Sequence, residues 1–292
     1  MGEIYPVCYT VKYIVFSYGR ITMLTEKKVG FMGGGNMAEA IIKGLIAGGV
    51  PSSAISVAEP VEARRDYMSG SYGVEVHGDN TAVAAASDVV ILAVKPQVCG
   101  EVLKAMAGEN LSGKLFISIM AGVTTETIEN ALGGAVRVVR VMPNTPALVL
   151  ESAAAISPGA LATADDLLLA RNIFDLLGVT CQVDEKLLDA VTGLSGSGPA
   201  YVFTFIEALS DAGVKNGLPR DVASMLAAQT VLGSAKMVLE TGIHPAVLRE
   251  KVTSPGGTTI AGLHVLEEEG VRGTIMTAVD VAVNRSKELG KK

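Results

Sequence analysis

Between residues 29 and 184 the chain repeats one pattern. A run of four to six apolar residues is followed by a break at glycine, proline or a charged residue, and then by a stretch whose apolar positions recur at helical spacing. A strand buried on both faces needs the first part and a helix lying on a sheet needs the second. The apolar runs predict strands at 29–32, 55–58, 89–93, 115–119, 136–141 and 153–156. Alternation with helices predicts an α/β fold, a Rossmann-type doubly wound parallel sheet covered on both faces. Beyond Asp184 the strand pattern stops, and helices are expected at 186–193, 199–213, 220–241, 245–252, 258–269 and 273–289. Prolines stand at their early positions and glycines at their ends, as capping preferences require. Three segments follow: 1–22, a leader outside the fold; 23–184, the sheet domain; and 185–292, an all-helical domain. The helix at 220–241 carries Ala, Gly, Ser and Met around most of its circumference, too apolar for one wet face. A second subunit is expected to bury it, which makes the protein a homodimer.

The first predicted strand runs straight into Gly33-Gly34-Gly35-Asn36-Met37-Ala38 and a helix. Gly33, Gly35 and Ala38 fill a G-x-G-x-x-G/A pattern: the first takes the tight turn, the second has no Cβ to block a pyrophosphate, and the third lets helix and strand pack closely. The helix beginning near Asn36 turns unpaired N–H groups and the positive end of its dipole towards the phosphates. A dinucleotide cradle is therefore expected in 23–184, with ligand beyond the carboxyl ends of the strands. Glu59 closes the second strand, where an acid accepts hydrogen bonds from the adenosine ribose and favours NAD. Arg64 and Arg65, one turn into the next helix, are placed to hold a 2′-phosphate and favour NADP. The sequence leaves both open.

After the third strand, Pro96 cannot continue a ladder and holds Lys95 extended, so that Ala93-Val94-Lys95-Pro96 can line the cofactor; Lys95 as plain surface is the alternative. The fourth strand runs into Met120-Ala121-Gly122-Val123, small enough for a nicotinamide ring to lie against. The fifth ends in Met142-Pro143-Asn144-Thr145-Pro146, a doubly proline-stiffened loop that either presents Asn144 to ligand or merely turns the chain.

With 292 residues, 49% of them hydrophobic, the chain can bury two ordinary cores. Thirty acids against 24 bases, a net charge of -6, leave no basic field for nucleic acid or an anionic membrane surface. Small metabolites are therefore the expected partners, and no apolar run is expected to reach the roughly 18 residues of a membrane span. Cys8, Cys99 and Cys181 are scattered and form no Cys-x-x-Cys, which fits a reducing cytoplasm. His77, His244 and His264 have no partner at metal-ligand spacing; they read as loop or helix-surface residues, and no metal is expected. The first 22 residues lack the basic start and small-residue cleavage site of a secretory signal, and Met23, just before the first strand, is expected to be the native start.

Two glycine-rich segments remain, 193–201 and 252–260. In the second, Gly256 and Gly257 bare the backbone before a helix, a nest of N–H donors suited to a carboxylate, with the Thr258 and Thr259 hydroxyls adjacent. With these segments in view the chain resembles the pyrroline-5-carboxylate reductases, the last enzymes of proline synthesis. The likeness rests on Gly-Phe-Met-Gly-Gly-Gly-Asn-Met, Ala93-Val94-Lys95-Pro96, Met142-Pro143-Asn144-Thr145-Pro146, 193–201 and 254–259, in that order, and runs from Val29 to about Leu289.

The resemblance implies that Met32, Gly33, Gly34, Gly35, Asn36 and Met37 embrace the pyrophosphate. Ala93 to Pro96 would flank the nicotinamide ribose, and Asn80 would contact the adenosine side. It places Thr259 on the family threonine that hydrogen-bonds the substrate nitrogen, gives the substrate carboxylate to the backbone of Gly257 and Thr258, and sets Lys251 at the edge. NADPH, alternatively NADH, is the implied cofactor and 1-pyrroline-5-carboxylate the substrate; dimers gather into larger rings in many members. Glu59 departs from the small polar residue often found there, which weakens any carried-over NADP preference.

The chemistry agrees. The substrate already carries a C=N bond that can be protonated in solution, so its carbon accepts hydride without a strong protein acid, and positioning does most of the work. Glu207 and Asp211, one turn apart, read as a polar helix face. A β-hydroxyacid dehydrogenase shares this architecture and the glycines Gly193, Gly196 and Gly198, but its proton-shuttling lysine falls here on Val202, which cannot move a proton. A cofactor-sensing module without turnover would have no use for the loop at 254–259.

Overall fold

The computed structural model describes residues 24–290. The expected leader and the expected start at Met23 lie outside the described residues. Within them the chain divides into two compact units, one formed by 24–199 together with 279–290, the other by Ala200–Ala278.

The first unit is built on one sheet. Its strands are β1 (Val29–Met32), β2 (Ile55–Ala58), β3 (Glu75–His77), β4 (Val89–Leu92), β5 (Leu115–Ser118), β6 (Arg137–Met142), β7 (Ser152–Pro158) and β8 (Gly178–Gln182), in the order β3-β2-β1-β4-β5-β6-β7-β8. The six from β3 to β6 are parallel, with Met32 level with both Ala58 and Leu92, and Leu92 level with Ser118. This is the doubly wound arrangement, and it brings the carboxyl ends of four neighbouring strands to one edge.

Side chains alternate across this sheet. Phe31, Ile91, Ile117 and Val139 pack on one side with α1 (Asn36–Ala47), while Met32, Val90, Leu92, Phe116 and Val138 pack on the other with α4 (Cys99–Met106) and α5 (Thr125–Ala131). Phe31 and Phe116 are wholly buried, each contributing roughly 2–3 kcal/mol by removal from water. The remaining flanking helices are α2 (Glu62–Tyr72), α3 (Asn80–Ala86) and α6 (Ala164–Asp175), the last opened by a reciprocal capping box between Thr163 and Asp166.

The expectation of a wholly parallel sheet is corrected at β7, which runs antiparallel to β6, with β8 then parallel to β7. The connection at 143–151 holds only a 3-10 turn, Thr145–Val149, too short for the crossover of about a dozen residues that a parallel return requires. β3 and β8 were not expected from the sequence. Both are edge strands with one neighbour, so neither carries the two-sided apolar run that marks a buried strand.

The helix expected at 186–193 is three short pieces: a 3-10 turn at Glu185–Leu187, α7 (Leu188–Val191) and a π turn at Thr192–Gly196 closed by Ser197 N–H on the Thr192 carbonyl at 2.8 Å. Gly193 allows a close crossing here, because a Cβ on it would stand 2.9 Å from the Val279 carbonyl. Nearby, Ser286 donates to Asp189 at 2.6 Å. The buried Arg140 pairs with Glu185 at 3.1 Å, and Glu185 also accepts from the amide and hydroxyl of Thr125 at 2.8 and 2.7 Å.

The other helices are α8 (Gly198–Lys215), α9 (Arg220–Thr241), α10 (Pro245–Lys251), α11 (Thr258–Glu268) and α12 (Val271–Leu289). α9 buries only Ala223 and Ala227, while Leu232 is 59% exposed. By length and composition this helix would suffice to cross a membrane, with a mean hydropathy of 1.4, which corrects the expectation that no stretch reaches that length.

Candidate active site

The residues expected to hold a dinucleotide gather along the carboxyl edge of β3-β2-β1-β4-β5. Gly33 N–H donates to the Ala58 carbonyl at 2.8 Å and Ala93 N–H to the Met32 carbonyl at 2.9 Å, so the first turn of the glycine loop is seated between the ends of β2 and β4. Two features require glycine at 33. Its φ is +96°, and a Cβ would stand 2.9 Å from the Ala93 carbonyl oxygen. Around Gly35, by contrast, nothing lies within 4 Å of where a Cβ would be. Gly35 is the N-cap of α1 and supplies no side-chain acceptor, so the first amides of a twelve-residue helix face this open space. Bare backbone, room and a positive dipole end together fit a pyrophosphate.

Lys95 is exposed and extended (φ −65°, ψ 141°) before Pro96, as the sequence requires. Ala121 is half-buried against the small cluster of Met142, Ala155 and Leu188. Asn80 is the half-buried first residue of α3, behind Asp79, which caps the helix through Thr81 N–H at 3.0 Å. The hydroxyl and amide of Thr81 hold the Asp79 carboxyl below its ordinary range.

At the end of β2 the Glu59 carboxylate accepts from Gly34 N–H at 2.9 Å and Val61 N–H at 3.0 Å. Arg65 turns back onto the Glu59 and Pro60 carbonyls at 2.7 and 2.9 Å. Arg64 reaches the loop itself, with Nε donating to the Gly34 carbonyl at 2.5 Å and Nη2 pairing with Glu39 at 2.6 Å. The other Glu39 oxygen accepts from the Tyr67 and Tyr72 hydroxyls at 2.8 and 2.7 Å, and the Arg64 guanidinium lies 4.9 Å from the Tyr67 ring centroid. Burial works against the Glu39 carboxylate, but hydrogen bonds from Tyr72, Arg64 and Tyr67 outweigh it and hold its carboxyl below the usual range. The same bond to Glu39, with burial, pushes the Tyr72 phenol up. Sequence reasoning missed Glu39; the available signal was an acid set between the two small residues Ala38 and Ala40, both of which are buried.

Asn144, considered as a ligand-presenting residue, turns inward and is buried. Its Nδ2 donates to the Ser195 carbonyl at 3.0 Å, and its Oδ1 accepts from Ala153 N–H at 3.0 Å and the Ser152 hydroxyl at 3.1 Å. Of the histidines, His244 caps α10 by accepting Ala246 N–H at Nδ1, while His77 and His264 lie beside Glu75 and Glu268. Among the described residues no three His, Cys, Asp or Glu side chains are grouped as metal ligands would be. Asp211 pairs with Arg220 at 2.6 Å.

The expected substrate residues sit together in the helical unit, at the turn between α10 and α11. Gly256 has φ +67°, and a Cβ on Gly257 would collide with the Ser254 hydroxyl. Gly257 N–H donates to the Ser254 carbonyl at 3.1 Å, so the turn's outward donors are the first amides of α11, at Thr258 and Thr259. α11 has Gly257 as N-cap and no side-chain cap. Gly256, Gly257, Ile260 and His264 line a cavity of about 650 Å³ with Arg249 and Thr253, and Lys251 is exposed at the end of α10.

Residues 185–289 match the family model described as pyrroline-5-carboxylate reductase dimerisation, and 28–122 match that of the NADP oxidoreductases, coenzyme F420-dependent. The chain is 50% identical over 270 residues to the pyrroline-5-carboxylate reductase of Methanosarcina acetivorans, covering 92% of this chain and 100% of that one. With the Arabidopsis thaliana enzyme it shares 48% over 265 residues, 90% and 96% of the two chains. Among solved structures, a Coxiella burnetii pyrroline-5-carboxylate reductase superposes with a TM-score of 0.85 at 41% identity, over 91% of this chain and 99% of that one. The Plasmodium falciparum pyrroline carboxylate reductase, solved with NADP bound, superposes with a TM-score of 0.84 at 35% identity and the same coverage. Shared sequence over nine-tenths of the chain, with solved members superposing over the same share, places this chain in the pyrroline-5-carboxylate reductase family.

Proposed function

We propose that the chain reduces the C=N bond of 1-pyrroline-5-carboxylate to give proline, using NADPH, alternatively NADH, as hydride donor. The observation that carries the substrate half is the uncapped start of α11 behind the Ser254–Gly257 turn, whose bare amides suit a carboxylate. Reduced nicotinamide, when bound, supplies the hydride. The protein's own part is positional: Gly257, expected to hold the substrate carboxylate, instead donates its amide to the Ser254 carbonyl, so the Thr258 and Thr259 amides take the carboxylate, Lys251 stands at the edge, and the Thr259 hydroxyl bonds the ring nitrogen. The reacting carbon is thereby held in one orientation. No protein acid is needed, since the imine is protonated in solution.

Met32 to Met37, Asn80, Ala93 to Pro96 and Ala121 serve the dinucleotide. The NADP-bound relative supports NADPH; Glu59 at the end of β2, with its carboxylate aimed at the glycine loop, supports NADH as a second donor. The exposed apolar residues Phe203, Leu232 and Met276, at 62%, 59% and 69%, support a homodimer, and a larger ring of dimers is the further expectation. The free thiols Cys99 and Cys181 suit a reducing cytoplasm. The deciding experiment follows nucleotide oxidation with pyrroline-5-carboxylate under NADPH and NADH separately. Turnover coupled to proline formation is expected; tight nucleotide binding without turnover would overturn the reading. Sedimentation at micromolar concentration should give twice the chain mass.

A further inference from the structure

Resting on that reading, we propose that Glu39 determines the choice between the two nucleotides by holding Arg64 against the glycine loop and cancelling its charge.

The Gly34 peptide is gripped from both sides. Its N–H is held by Glu59 and its carbonyl by Arg64 Nε. Of the two arginines placed to meet a 2′-phosphate, Arg65 donates to two main-chain carbonyls and Arg64 to one carbonyl and one carboxylate. Arg64 alone is paired with an acid. Glu39 is itself fixed by two tyrosine hydroxyls, whose rings meet edge to face at 6.4 Å, and Tyr67 also lies under the guanidinium. The pair is therefore rigid, and the guanidinium offers an incoming phosphate almost no net charge. Glu59, bound to the Gly34 and Val61 amides, adds negative charge at the same corner. A ribose without the extra phosphate meets no such penalty.

Glu39→Gln keeps the size of the side chain and an acceptor oxygen for the tyrosines while leaving Arg64 uncompensated. Removing one charge several ångström from a dianion at a partly exposed site should change relative affinity by roughly three- to tenfold. The test titrates the full chain with NADP+ and with NAD+ by calorimetry and compares the ratio of dissociation constants. In Glu39→Gln the ratio should move three- to tenfold towards NADP+, and adding Arg64→Met should abolish the gain. An unchanged ratio in Glu39→Gln, or a gain that survives Arg64→Met, overturns the proposal. Should Glu39→Gln fail to fold, Arg64→Met alone leaves the Glu39 charge uncancelled and should move the ratio three- to tenfold towards NAD+; an unchanged ratio there likewise overturns the proposal. A role in folding alone would weaken both nucleotides together and leave the ratio fixed. The titration contains no imine, so a chain that binds both nucleotides yet never reduces pyrroline-5-carboxylate would defeat the reductase reading and not this one.

Discussion

Replacing Asn144 by alanine separates a structural amide from a ligand-presenting one. The side chain is 8% exposed and makes three hydrogen bonds, one donated to the Ser195 carbonyl and two accepted from Ser152 and Ala153. Alanine removes all three and offers nothing in exchange. Ser152 is also buried, so its hydroxyl must find another acceptor or go without, while the Ser195 carbonyl and Ala153 amide are only partly shielded. One fully stranded group and two partly solvated ones give a loss of about 2–4 kcal/mol. In a chain of this size that lowers the thermal midpoint by roughly 3–7 °C. Urea unfolding should show the midpoint falling with the slope unchanged, since the surface exposed on unfolding is the same. Cofactor affinity should stay within about twofold once the protein is held folded. A loss below about 1 kcal/mol together with a large rise in the Michaelis constant for the nucleotide would refute the reasoning and return Asn144 to the ligand.

Thr259→Ala should lower turnover about ten- to a hundredfold by deleting one hydrogen bond to the ring nitrogen, with NADPH affinity unaltered; an undiminished turnover number removes Thr259 from the mechanism. Gly33→Ala forces a side chain into a backbone angle of +96° and against the Ala93 carbonyl. Fluorescence titration should show nucleotide affinity falling by about tenfold or more, and wild-type affinity would mean that the loop relaxes at no cost. Glu39 has its carboxyl lowered in the folded state from an ordinary 4.5, so its contribution is complete above that pH and fades as the pH falls through the depressed value. Urea midpoints at pH 3 and pH 6 should therefore differ less in Glu39→Gln than in the native chain; equal differences would count against it.

The glycine loop and the strands β1, β2, β4, β5 and β6 were legible because both rest on strong local rules, apolar runs long enough to be buried twice and a turn that only glycine can make. The Thr258–Thr259 turn was legible for the same reason, with Gly256 at φ +67° and Gly257 pressed on Ser254. What escaped depends on partners distant in sequence. β3 reads Glu-Val-His and β8 reads Gly-Val-Thr-Cys-Gln, and each becomes a strand only because a stronger neighbour offers it a ladder. The direction of β7 was hidden because it turns on the brevity of the 143–151 connection, not on composition. Asn144 sits in a loop that looked exposed until strand β7 and Ser195 closed round it. Glu39 became informative only once Arg64, Tyr67 and Tyr72 were seen to converge on it.

The sheet unit is discontinuous along the chain: 279–290 belong with 24–199, and Gly193 lies bare beneath Val279 and Val283 to receive them. During synthesis the eight strands thus leave the ribosome with a groove still vacant, and all of Ala200–Ala278 must follow before the piece that fills it is made. The amino-terminal unit, first to be translated, is among the last to be finished, and its closing step waits on the tail of the message.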